Sequence, residues 1–179
     1  MVAFWDWKDG ANEDFLIEAG EQKSKAKGAA LTLRKMANNM DEILEGGYSL
    51  KRFEGSIPDI ATKHKLDLLL EKIENGVKVQ KSIEMKNWKK AYSIVGDTYE
   101  QFKAYIFSKR EFDYYFSDGI QDAMKKQFQN VFKNSAKATE LFAANPSFFK
   151  SLSNDITSAA KLVAKANNGE LVDLINWVK

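Results

Sequence analysis

The sequence contains no cysteine, only two prolines (Pro58 and Pro146) and one histidine among 179 residues. Without cysteine there are no disulfides and no thiolate metal centres. Scarce proline leaves long helices uninterrupted. With His64 alone, the paired Glu-x-x-His motifs of helical di-metal sites cannot form, and Lys63 and Lys65 on either side of it disfavour a cation. His64 therefore reads as a solvated or edge histidine, and no metal site is expected.

Other absences narrow the field. No run approaches the roughly 18 apolar residues of a membrane span. The first ten residues carry acids where a secretory leader has an apolar stretch, so the expectation is a cytoplasmic protein. Gly-x-x-x-x-Gly-Lys-Ser/Thr, Gly-x-Gly-x-x-Gly and Gly-x-Ser-x-Gly are all missing. Ser-x-x-Lys occurs at Ser24, Ser147 and Ser158, as chance would give in a lysine-rich chain, and lacks supporting elements. Asp6-Trp-Lys-Asp9-Gly10 lacks the alternating oxygen ligands of a calcium loop. The expectation is no catalytic residue and no cofactor. Carboxylates are read as solvating charges.

Arginine is scarce as well. Arg34, Arg52 and Arg110 are the only three among 27 basic residues, and the net charge is +2. Lysine is a flexible, strongly hydrated point charge, whereas arginine makes the forked contacts that read phosphate and guanine. Lysine richness thus points first to a solubilising surface.

What the chain has in plenty is apolar residues spaced three and four apart. Phe15, Ala19, Ala26, Ala29, Leu33, Met36, Met40 and Ile43 form one seam, closed by Gly46-Gly47. Ser56-Ile-Pro58-Asp59 reads as a helix start, with Ile60, Leu66, Leu69, Leu70 and Ile73 as its stripe. Met85, Trp88, Tyr92, Val95, Tyr99, Phe102 and Ile106 form a second long seam, followed by an aromatic cluster from Phe107 to Phe116. Residues 124–142, 147–167 and 171–178 carry further helical stripes. These spacings predict an all-α fold, an elongated bundle of five to six helices, as one domain over 15–179 behind an aromatic arm at 1–14. At Asn75-Gly76 a helix C-cap competes with a short β-hairpin near residues 70–83.

The function this supports is a non-enzymatic protein working through protein–protein contact or self-association: a structural subunit, adaptor or immunity-type protein. Phe4, Trp5 and Trp7 are the candidate partner-binding residues, because large aromatics are enriched at binding hot spots. The alternative is a lysine-rich nucleic-acid binder using Lys78, Lys81, Lys86, Lys89 and Lys90, with Trp88 and Tyr92 interleaved. A second alternative is a membrane-active protein whose amphipathic helices open onto lipid.

Overall fold

The computed structural model describes residues 41–179, together with Ala30, Leu33, Arg34, Ala37 and Asn38. The arm bearing Phe4, Trp5 and Trp7 and most of the first seam lie outside the described residues. From the helical residues Asp41–Ile43 the chain passes through Gly46 and Gly47, with φ of 76° and 81°, into a strand.

An α/β fold replaces the expected all-α bundle. Strands β1 (Ser49–Ser56), β2 (Lys65–Glu74), β3 (Val77–Lys86) and β4 (Glu111–Phe116) form one sheet in sequence order. β1 with β2 and β2 with β3 are antiparallel, while β3 and β4 are parallel. The parallel step needs a crossover, which helix α1 (Gly96–Ser108) supplies. Four helices follow: α2 (Gln121–Lys133), α3 (Ser135–Ala144), α4 (Pro146–Leu152) and α5 (Ala159–Asn167).

The corrections have physical reasons. Lys65–Glu74 is a central strand whose Leu66, Leu68, Leu69 and Leu70 are all buried. A strand covered on both faces reads as a continuous apolar run, and such a run also satisfies a helical template. Asn75 (φ 51°) and Gly76 (φ 77°) both take left-handed backbone, as a tight two-residue hairpin turn demands, and Glu74 pairs with Val77 across it. The seam from Met85 to Ile106 is not one helix. Met85 lies on β3, Tyr92 and Val95 are exposed loop residues, and only Tyr99, Phe102 and Ile106 lie buried on α1. Among the described residues no helix is long and apolar enough to cross a membrane.

Asn134 splits the expected helix over 124–142. Its extended backbone (φ −80°, ψ 112°) ends α2, and its side chain accepts from the Lys137 N–H at 3.0 Å to start α3. The expected terminal helix is absent too. The Tyr114 N–H donates to the Trp177 carbonyl at 2.6 Å, and the Lys179 N–H donates to the Tyr114 carbonyl at 2.8 Å. The last residues thereby cover the outer edge of β4.

Two apolar layers sandwich the sheet. On one face Leu68, Leu70, Ile83, Met85 and Tyr115 pack with Ile43 and Tyr48. The other face is aromatic, where Phe102, Tyr105, Phe112, Tyr114, Phe128 and Trp177 interlock. Their ring centroids lie 4.9 to 6.3 Å apart, the range for favourable edge and offset contacts.

Candidate acid cluster beneath helix α1

Strand pairing places the chemistry. The register pairs Leu69 with Ser82, Ser82 with Phe112, and Glu84 with Tyr114. Side chains alternate between faces, so Asp67, Glu84 and Tyr114 project to the same face as Leu69, Ser82 and Phe112. This is the face that α1 covers. Continuing the β2–β3 register by one residue beyond Leu68 and Ile83 sets Asp67 directly against Glu84. Lys86 stands two residues further along β3, on the same face.

Tyr105 and Gln101 hold the Glu84 and Lys86 side chains, which also pair with each other. The Tyr105 hydroxyl donates to Glu84 Oε2 at 2.8 Å, from the middle of α1. The Lys86 ammonium lies 2.5 Å from Glu84 Oε1. It also donates to Gln101 Oε1 at 3.0 Å, and Gln101 Nε2 in turn donates to the Lys65 carbonyl at 3.0 Å. Asp67 Oδ2 accepts the backbone N–H of Met85 at 2.6 Å. Gln101 and Tyr105 are four residues apart and so lie on one face of α1. The helix thus hangs a two-pronged clamp over the end of β3.

Burial makes the arrangement electrostatically expensive. Glu84 is 5% exposed, Gln101 7% and Tyr105 1%. Burial pushes the Asp67 carboxyl up to about 7, and the neighbouring Glu84 charge pushes in the same direction; the Met85 N–H and Lys86 oppose both. The Tyr105 and Tyr114 phenols are driven up, first by burial and then by the Glu84 charge. Two carboxylates therefore share one ammonium in a poorly solvated place. Among the described residues the Ser82 hydroxyl and the Tyr114 hydroxyl on this face have no hydrogen-bond partner.

Among the described residues no group of three or more His, Cys, Asp or Glu could enclose a metal ion. The donor set at Asp67 and Glu84 is a pair of hard oxygens with a charge deficit beside it. That fits Mg²⁺ or Mn²⁺, which keep several waters and take one or two carboxylates plus substrate phosphates instead of a protein cage. It does not suit zinc, which favours nitrogen and sulfur.

The structure separates the five lysines named from sequence. Lys86 is in the cluster. Lys89 and Lys90 are exposed just beyond the end of β3. Nearby, Trp88 meets Tyr92 edge-on at 5.2 Å, and the Lys90 ammonium lies 5.6 Å from the Tyr92 ring. Lys78 is far up the hairpin, 3.4 Å from Glu71, and Lys81 pairs with Asp113 on the opposite face of the sheet. His64 is half-buried in the loop before β2. Sequence reading missed Asp67, Glu84, Gln101 and Tyr105. Their signal is Glu84-Met-Lys86 at the end of an alternating run, mirrored by Asp67 across Asn75-Gly76. Comparison with protein families, curated proteins and solved structures finds no match.

Proposed function

We propose that the chain is a divalent-cation-dependent phosphodiester hydrolase acting on nucleic acid, with Asp67, Glu84 and Lys86 as its reacting centre. One observation carries this reading: a buried and a half-buried carboxylate face each other across neighbouring strands, with a lysine two residues from the buried one. Two acids are too few to enclose Mg²⁺ but suffice when a substrate phosphate completes its coordination. When bound, the cation would lower the pKa of a water and draw charge from the phosphoryl oxygens.

The chain's own groups do the rest. Asp67 and Glu84 would hold the cation. Lys86, clamped by Gln101, would hold a positive charge where a water oxygen bonds to phosphorus, the bond to one ester oxygen breaks, and the water's proton ends on that leaving oxygen. Tyr105 fixes the Glu84 rotamer and is a positioning residue. Lys89 and Lys90 supply phosphate contacts beyond the strand end, and the Trp88–Tyr92 pair offers a ring surface to bases. These lysines and aromatics favour a polynucleotide over a small phosphate ester.

The test is cleavage of plasmid DNA, single-stranded DNA and RNA with Mg²⁺ or Mn²⁺, against a chelator control. Cleavage that needs the cation and vanishes in Glu84→Gln supports the reading. No cleavage of any of these substrates with either ion sinks it. A second reading keeps the protein-contact expectation: Ile73 and Val77, 67% and 63% exposed, crown the β2–β3 hairpin and favour a partner surface there. Charging both positions without changing capture of any protein from host extract would dispose of that one.

A further inference from the structure

We infer that a cavity at the start of β4 is a separate binding site for a small phosphate-bearing ligand with a flat apolar body, the chemistry of a nucleoside monophosphate. The cavity encloses about 500 Å³. That lies within the usual 300–1,000 Å³ of small-molecule sites. Lys81 and Asp113 mark its distance from the acid cluster. Lys81 is three residues before Glu84 on β3, on the order of 10 Å at strand rise.

Its charge is unbalanced. Four cations line it: Lys81, Lys109, Arg110 and Lys179. The two lining carboxylates are already engaged, Asp113 by Lys81 and Glu111 as acceptor of the Tyr48 hydroxyl at 2.8 Å. Arg110 is paired with Asp59. Lys109 and Lys179 have no direct ion pair among the described residues, although the Lys179 charge is felt at Asp113, and the four lining cations outnumber the two lining carboxylates. The Lys109 backbone is held at the end of α1: it takes left-handed φ (56°), its N–H donating to the Ile106 carbonyl.

The remaining wall is apolar with orphaned donors. Phe148 and Leu152 are half-exposed there, and Trp177 lies behind Phe148 at 5.1 Å between ring centroids. Trp177 is only 2% exposed, yet among the described residues its indole N–H meets no acceptor, and neither does the Arg110 Nε–H. A buried donor without a partner costs about 1–3 kcal/mol, so the wall behind this cavity is held at a local cost. A phosphate answers the lining lysines; a flat ring answers Phe148 and Leu152.

Calorimetric titration in a chelator-containing buffer tests this without any cleavage, using AMP, adenosine and inorganic phosphate as probes. AMP is expected to bind at micromolar concentration, with adenosine and inorganic phosphate each at least tenfold weaker. The Lys109→Ala/Lys179→Ala protein, altered at two exposed side chains, should lose at least tenfold in AMP affinity. Glu84→Gln should bind AMP like the parent. Absence of AMP binding up to millimolar concentration overturns the inference. So does an unchanged affinity in the double variant, or loss of binding in Glu84→Gln, which would place the ligand at the acid cluster.

Discussion

Asp67, half-buried on β2, and Asp113, buried on β4, are aspartates on opposite faces of one sheet, and they differ in what stands beside them. Burial raises the carboxyl of each. At Asp113 the next influences are the charge and hydrogen bond of Lys81, which pull it back down. At Asp67 the next influence is the like charge of Glu84, which pushes it further up. One is a matched ion pair; the other is half of an acid pair with a single ammonium nearby. Matched pairs serve structure, whereas a charge deficit maintained at a structural cost is the mark of a site that receives a cation.

Substitution should separate the two by sign. Asp67→Asn and Glu84→Gln are expected to lower cation-dependent cleavage by about 1,000-fold or more, the scale for losing a group that contacts developing charge. In the cation-free protein at pH 8, Asp67→Asn should raise the melting temperature, because it removes a buried charge with too little compensation. Asp113→Asn should do the reverse, leaving Lys81 unpaired and costing about 2 kcal/mol in denaturant titration, with cleavage nearly unchanged. If Asp67→Asn destabilises as Asp113→Asn does, the contrast collapses and the cluster is structural.

The pH dependence sharpens the same contrast. The folded value of Asp67, about 7, lies above its ordinary 3.8, so the native state holds this proton more tightly than the unfolded chain. Its contribution to stability is complete below about pH 4 and is lost as pH climbs through 7. Three units at 1.4 kcal/mol each bound the effect at about 4 kcal/mol. Melting curves with chelator should fall across that window, Mg²⁺ should raise the curve more at pH 8 than at pH 5, and Asp67→Asn should flatten it. A parent protein whose melting point is level from pH 4 to 8 with chelator would count against a raised Asp67.

Why the acid pair was hidden follows from its hairpin. Helical periodicity was legible where a stripe meets water on its other side, as in α2, where Met124, Phe128, Val131 and Phe132 are buried in turn. It misled where strands are covered on both faces. Phe112 to Phe116 are all buried, and a run of five buried residues has no period. The decisive ambiguity was Asn75-Gly76. As a helix end it leaves Asp67 and Glu84 unrelated; as a two-residue turn it sets them opposite, each eight residues away. Gln101 and Tyr105 could not be found before that, since their role depends on α1 crossing the sheet. Lys86 was named, but for its charge and not for its neighbour.

A smaller effect probes the clamp. Tyr105→Phe removes the one hydroxyl that Glu84 Oε2 accepts, while keeping the ring stacked on Phe112 at 5.6 Å. A drop of about tenfold in cleavage is expected, with KM little changed, and a stability change of about 1 kcal/mol. A purely structural Tyr105 would leave cleavage per folded molecule untouched.

The smallest effect comes from a third acid–lysine pair, which tests whether burial or proximity makes the difference. Lys63 donates to Asp97 at 2.8 Å, closer than Lys78 comes to Glu71, yet the two side chains are 71% and 79% exposed. The hydrogen bond and charge of Lys63 lower the Asp97 carboxyl, but water and salt screen a pair this open. Asp97→Asn should therefore leave melting temperature and cleavage where they were, at low and high salt alike. A clear loss of stability would mean that distance alone ranks these pairs, and the weight placed on burial at Asp67 and Asp113 would have to move to geometry.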